Sequence, residues 1–370
     1  MKFLINTITH WEEPPRARHQ VAYTLSNKYE VVFITANKPG FPKIKSYSIH
    51  NRLTILTPYF PIDHRIRYRL PVVNELYQYW LFRKIVREYK DYEVINFDFT
   101  ATRIYNFFTN VIYYCNDNFA MISSLSNPSI IARYHKNCES IVATKAKFCV
   151  AVSSILRDNL KKFNANSFEI PLGSPDIEEY KIPVNSKPSK NKMLKIGLMG
   201  YIRTYNISHD VLNLLLNDEN LKLTLIGPVE EKFLNKIEKR EKIILKGQLV
   251  GKELYEEINK FDIAIAPYLH EFTTDDRIGV GTGNKIYHYF ALGKPVVISY
   301  MIGLHKANLP DGFVYMANSE KEFPSLIYKA MEENSEELIK QRINFAKENT
   351  WVKRMEALIE YYNKFDVINS

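Results

Sequence analysis

Two side chains one helical turn apart, Lys285 and His288, stand just after a glycine-rich polar stretch that closes Gly279-Val280-Gly281-Thr282-Gly283-Asn284. Residues three apart share a helix face, and Asn284 falls where such a helix would start. A diphosphate arriving there would meet unpaired backbone N–H groups, the positive end of the helix dipole and the Lys285 ammonium together. Fixed groups of this kind stabilise negative charge growing on a departing phosphate oxygen without reorganising. Gly200 ends an apolar run and lets the backbone approach a ligand, with Tyr201 and the phosphate-competent Arg203 directly after it. The same residues also read as a solvated lysine, a packed histidine and a glycine turn followed by a surface arginine.

A second set of reactive types lies near the N-terminus, in His10-Trp11-Glu12-Glu13-Pro14-Pro15-Arg16-Ala17-Arg18. Trp11, Arg16 and Arg18 suit an acceptor carrying phosphate or carboxylate, since arginine binds such groups bidentately; Arg16 also reads as a surface charge at a helix start. Taking a proton from a hydroxyl requires a positioned carboxylate or imidazole. Asp117, which follows the apolar run 110–114, is one candidate base, and His10 is the other. Asp is also a favoured helix cap, so Asp117 has a structural reading as well.

The elements that must position these groups alternate in type. Apolar runs at 2–7, 30–35, 94–97, 110–114 and 148–153 are separated by segments of helical spacing, and a second series follows at 194–200, 221–227, 243–247, 263–267 and 295–299. Such alternation predicts α/β architecture: two Rossmann-like, doubly wound domains with parallel sheets. The expected divisions are an N-terminal acceptor domain over 1–182, a Pro- and Lys-rich linker over 183–192, a C-terminal donor domain over 193–348 and a final helix over 349–370. Ligands of open parallel sheets bind at the carboxyl ends of strands, so the two domains are expected to face a substrate cleft.

Composition narrows the class. The chain of 370 residues carries a net charge of +9, which points to an anionic partner without choosing one. Zinc-finger, RNP-like and basic-zipper patterns are absent from the sequence and its positive charge is spread over both halves, so nucleic acid is not expected. Three cysteines without a CxxC pair, Cys115, Cys138 and Cys149, predict buried thiols rather than a disulfide framework or zinc site. Neither a signal peptide nor a spanning helix is expected, which predicts a cytoplasmic protein. Residues 59–89 concentrate aromatic rings with arginine, a composition that suits the inner membrane interface or an amphipathic helix packed on its own domain.

The run Lys285-Ile286-Tyr287-His288-Tyr289-Phe290-Ala291-Leu292-Gly293-Lys294-Pro295-Val296-Val297 resembles the donor-binding helix and following strand of GT-B glycosyltransferases related to family 4. Leu225-Ile226-Gly227-Pro228, Lys246-Gly247-Gln248 and the closing Trp351-Val352-Lys353-Arg354-Met355 fall where that family would have them. The resemblance implies Gln248, Tyr268, Asn284, Lys285 and His288 at a nucleotide-sugar donor, UDP-linked and possibly a uronic acid. His288 stands where many members carry a ribose-binding Glu. In this, in Ala266-Pro267-Tyr268-Leu269-His270-Glu271 and in the Tyr113 to Asp117 segment, the chain is similar to membrane-associated glucuronosyltransferases of xanthan assembly. That likeness implies Glu271 at the donor, Asp117 as base and a lipid-linked saccharide acceptor in capsule or other polysaccharide assembly. No cofactor or metal is expected, Lys285 and the helix supplying the positive charge. An epimerase on the same two-domain plan and a non-catalytic anion-binding module are the competing readings.

Overall fold

Short runs of Val, Ile, Leu and Phe become parallel strands because both of their faces are covered, which leaves no polar face to alternate with. The computed structural model describes residues 1–184, 193–269 and 279–369. They divide into two units, Met1–Leu172 with Arg354–Ser370, and Gly173–Lys353.

In the first unit β1 (Lys2–Asn6), β2 (Glu30–Ile34), β3 (Lys38–Pro39), β4 (Lys43–His50), β5 (Leu53–Phe60), β6 (Glu93–Asn96), β7 (Val111–Cys115), β8 (Cys149–Ala151) and β9 (Ser167–Glu169) form one sheet. Its order is β3-β5-β2-β1-β6-β7-β8-β9, all parallel, with β4 added antiparallel on β5. The sequence pattern gave no sign of β4, whose side chains are nearly all exposed and therefore present no apolar face. Chain order reverses between β1 and β6, where Asn6 Nδ2 donates to Asn96 Oδ1 at 2.8 Å. The helices that matter for the site are α1 (Ala17–Ser26), α2 (His64–Arg67), α3 (Pro71–Tyr89), α4 (Phe119–Ser126) and α5 (Ser129–Lys145). Tyr77, Leu81, Phe82 and Ile85 of α3 pack against Leu4, Val32, Ile34 and Leu56 of the sheet. Burying each such side chain stabilises by about 1.5–3 kcal/mol. Within the aromatic segment 59–89, Phe82 is therefore a core residue, and Trp80 is half-buried against Phe60 and Tyr77. Arg67 is buried too, its guanidinium 3.9 Å from the centroid of Tyr77 and its Nε donating to Asn37 Oδ1 at 2.9 Å.

The second unit holds β10 (Leu194–Met199), β11 (Leu221–Ile226), β12 (Ile243–Leu245), β13 (Ile263–Ala266), β14 (Val296–Ser299) and β15 (Val314–Ala317), all parallel in the order β12-β11-β10-β13-β14-β15. Here the chain order reverses between β10 and β13. Residues 173–184 count with this unit: Ser174 N donates to Asn349 O at 2.7 Å, and Asn259 Nδ2 to Pro183 O at 3.0 Å. Of the expected linker, 185–192 lie outside the described residues. The last helix, Trp351–Asn369, counts with the first unit from Arg354 onward, and there Tyr361 stacks on Phe168 with centroids 4.3 Å apart. All three cysteines are buried free thiols.

The helix Lys285–Ala291, on which the candidate donor residues ride, is fixed at two points. From its second half Tyr289 Oη accepts from Met199 N at 2.9 Å, which ties it to the end of β10. Just past its end, the fully buried Arg342 donates to Gly293 O at 2.9 Å and to Gly312 O at 2.6 Å. Replacing Arg342 by Met keeps the volume but strands those two carbonyls, and an unsatisfied buried acceptor costs about 1–3 kcal/mol. Urea unfolding of Arg342→Met is therefore expected to show a lower midpoint at unchanged slope; an unshifted midpoint would remove Arg342 as the anchor.

Candidate functional site

The carboxyl ends of β10, β11 and β12 are brought together by backbone. Gly200 has φ +131° and Gly227 φ +114°, conformations that side chains rarely adopt. A Cβ on Gly227 would strike the Gly200 carbonyl oxygen, and Gly227 N donates to Gly247 O at 2.6 Å. A Cβ on Gly200 would sit 2.6 Å from Lys285 Cε and 2.7 Å from its Nζ. The Lys285 ammonium thus lies directly against bare backbone at the point where strand order reverses. On its other side it stands over the ring of Tyr268, 5.2 Å from the centroid, and Tyr268 O in turn accepts from Ser299 Oγ at 2.7 Å. Among the described residues no carboxylate pairs with Lys285. Its charge is available to an anion.

Thr282 and Asn284 join this place, and the sequence reading had singled out only Asn284. Thr282 Oγ1 and Asn284 Oδ1 are buried with no hydrogen-bond partner. Buried polar atoms are nearly always paired, so two orphans in the run leading into Lys285 mark groups open to a polar ligand. The signal for Thr282 was available in the Gly281-Thr282-Gly283-Asn284 run. Asn284 already has helical backbone angles and its side chain makes no capping bond.

Arg203 lies flat on Tyr201, 3.4 Å from its centroid, with Nε 3.6 Å from Glu230 Oε1. Its second ring neighbour is Tyr205, whose hydroxyl accepts from Nη1. Gln248 is exposed on the turn after β12. Glu271 lies outside the described residues.

His288 has found a partner that sequence could not name. Its Nδ1 is 3.0 Å from Tyr255 Oη, and the two rings stack nearly coplanar at 5.9 Å and 10°, with Tyr180 on the far side of Tyr255 at 5.5 Å. Burial pushes the imidazole down to about 4 and the Tyr255 phenol up. At neutral pH the imidazole is therefore uncharged and shares one hydrogen bond with the phenol through Nδ1.

In the first unit the second set of residues gathers at the ends of β1, β6 and β7. Arg18, only 3% exposed, donates to Thr9 Oγ1 and lies 5.5 Å from the centroid of Phe119. Burial and the neighbouring Arg16 lower its pKa to about 10, while Asp98, Glu13 and Asp117 raise it. The three carboxylates oppose the effect of burial without outweighing it. Asp117 Oδ1 accepts from Asn118 N at 2.8 Å, and burial raises its pKa against the opposing pull of Arg18. The N-cap of α4 is Asn118, not Asp117. His10 meets the ring of His64 edge-on at 4.9 Å, and Nδ1 of each is buried without a hydrogen-bond partner, as are Arg18 Nε and Asn116 Oδ1. His64, delivered by α2, carried no sequence signal. Arg16 is exposed and pairs with Glu13 at 3.0 Å, while Trp11 packs on Phe33, Tyr23 and His19 of its own unit.

Residues 194–333, most of the second unit, match the model of a family described as glycosyl transferases group 1. No curated protein matches the sequence. Among solved structures, a sucrose-phosphate synthase from Thermosynechococcus elongatus superposes with a TM-score of 0.71 at 11% identity, covering 100% of both chains. The fold is GT-B. WaaG, a glycosyltransferase involved in lipopolysaccharide biosynthesis, superposes at 0.66 with 13% identity over 99% of each chain. HepE of Anabaena, in complex with UDP, does so at 0.65 with 13% identity, over 98% of this chain and 100% of its own. Both sheets described above are the Rossmann-like sheets of that GT-B fold, and the switch point in the group 1 segment is where Lys285 meets Gly200.

The neutral His288 makes a prediction for stability. Its pKa is lowered from the ordinary 6.5 to about 4, so the unfolded chain takes up its proton first as pH falls. That contribution is fully present above pH 6.5 and is lost as the pH drops from there to about 4. Thermal melting of His288→Gln is expected to lose less stability than the wild type over that interval; parallel pH profiles would refute a buried neutral imidazole.

Proposed function

We propose that this chain is a glycosyltransferase that moves a sugar from a UDP-sugar to a hydroxyl of a saccharide acceptor carried on a lipid. The observation that carries the reading is the unpaired Lys285 ammonium held against the Gly200 backbone at the strand-order reversal. Support comes from the group 1 match over 194–333 and from the UDP in the HepE structure. Lys285 would balance the charge that grows on the diphosphate as the sugar departs, without a metal ion. Thr282 Oγ1 is free to donate to a phosphate oxygen, Asn284 Oδ1 to accept from a sugar hydroxyl, and His288 Nε2 to donate to the ribose in place of a carboxylate. Tyr268 under the ammonium, Tyr201 and Arg203 after β10, Gln248 after β12 and Glu271 complete the proposed donor set.

On the first unit Asp117 is the proposed base, because desolvation raises its affinity for a proton while Asn118 N holds its carboxylate. His10 and its partner His64, with their free ring nitrogens, would bind acceptor hydroxyls beside it, with Trp11 and Arg16 at the rim. The acceptor is read as a saccharide hydroxyl, with Arg16 and Arg18 able to meet a phosphate or carboxylate of the acceptor. The sugar is a hexose or a uronic acid, the latter by likeness to the glucuronosyltransferases of xanthan assembly. The setting is capsule or other cell-surface polysaccharide made at the cytoplasmic face of the membrane.

Calorimetry with UDP tests the donor side: Lys285→Ala is expected to weaken binding about ten- to a hundredfold, the range of one charge-assisted contact. Unchanged affinity would remove Lys285 from the phosphates. Asp117→Asn is expected to retain UDP binding while transfer from UDP-sugars falls by about 10² to 10⁴, the usual contribution of a general base. Full turnover in that variant would hand the role to His10.

A further inference from the structure

We propose that the outer face of α3 is a docking surface for a bilayer that contains anionic lipid. It rests on the proposed membrane setting but not on the transfer chemistry. The inner stripe of α3 accounts for the core contacts, yet a second apolar stripe runs along the opposite side. Val72, Leu76 and Tyr79 are 72%, 61% and 47% exposed and are spaced at i, i+4 and i+7. The same line continues into Arg83, Arg87 and Lys90, all exposed. At 100° per residue the six positions fall within about 80° of one another.

Soluble proteins leave few contiguous apolar patches in water, and such patches mark binding surfaces. Two further exposed apolar residues precede the stripe in the chain, Ile66 of α2 at 57% and Leu70, the residue before α3, at 42%. Ile130 of α5 is 77% exposed. It lies one turn before Tyr134 and His135, which are fixed to this region by Asn74 Nδ2 donating to Tyr134 Oη at 3.0 Å and His135 Nε2 to Tyr68 O at 2.8 Å.

Charge decides between a lipid and a protein partner. No ion pair among the described residues engages Arg83, Arg87 or Lys90. The two acids of the helix stand off the stripe and are occupied, Glu75 by Arg103 and Thr102, Glu88 by Tyr89 Oη at 2.8 Å. An apolar half, a ring at the junction with a guanidinium 5.9 Å from its centroid, and unpaired cations beyond reproduce the order of acyl chain, interface and headgroup. Long basic side chains reach up to the phosphates while their stems cover apolar surface. None of the described helices is long and apolar enough to cross a membrane, so this contact is peripheral.

The test is co-sedimentation of the full chain with vesicles of phosphatidylcholine mixed with phosphatidylglycerol, against phosphatidylcholine alone. Wild type is expected to bind the mixed vesicles and to release at high salt. The triple variant Arg83→Gln, Arg87→Gln, Lys90→Gln should bind about a hundredfold more weakly, at about fivefold per charge near the surface. Val72→Glu with Leu76→Glu should abolish binding, while Phe41→Ser, which removes an exposed ring 90% open elsewhere in this unit, should not change it. The proposal is overturned if neither α3 variant alters sedimentation. It is also overturned if Val72→Glu with Leu76→Glu only converts a dimer to monomers, which would assign the face to a second copy. UDP affinity measured on the same proteins separates the two readings: wild type that binds vesicles but not UDP refutes the donor proposal and leaves this one standing.

Discussion

The contact on which the second unit depends is that of an ammonium with bare backbone, Lys285 against Gly200. Any side chain at 200 would occupy the space of the lysine, and any at 227 would occupy the space of the Gly200 carbonyl. The glycines that let the strand ends close up also leave room for a cation that no carboxylate among the described residues pairs. The rest of the unit maintains this geometry. Tyr289 ties the helix to β10 and Arg342 ties its far end to the loops after it, so Lys285 cannot relax toward solvent without breaking buried hydrogen bonds.

The first unit solves a different problem, the burial of an arginine. Arg18 lies in the field of Asp98, Glu13 and Asp117, which oppose the cost of its burial without outweighing it, so its pKa stays lowered to about 10. What remains unsatisfied there is a mixture of donors and acceptors: Arg18 Nε, Asn116 Oδ1 and two imidazole nitrogens. Hydroxyl groups can donate and accept at once, and this is the chemistry such a mixture accommodates.

Much of this was legible in the order of the residues. Apolar runs alternating with helical spacing gave both parallel sheets, and the glycine-rich stretch before Lys285 pointed to a candidate anion contact. Strand β4 escaped because its side chains face water on both sides, and β15 because it is only four residues long, although Pro310-Asp311-Gly312 marks a turn before it. Phe82 and Trp80 could not be sorted by composition. Periodicity says that a helix has faces, but not which of two apolar faces the sheet will cover.

The sequence by itself determined what is local: the strands, the helix carrying Lys285, the glycines at strand ends and the reactive types on each unit. Tertiary structure alone decided partners distant along the chain: Tyr255 for His288, His64 for His10, three carboxylates for Arg18, bare backbone for Lys285. The reason is physical. Secondary structure follows from the pattern of neighbours within a few residues, whereas the charge state of a buried group depends on what the fold packs against it. That packing makes His288 a neutral imidazole hydrogen-bonded to Tyr255 and sets Arg18 in the field of three carboxylates.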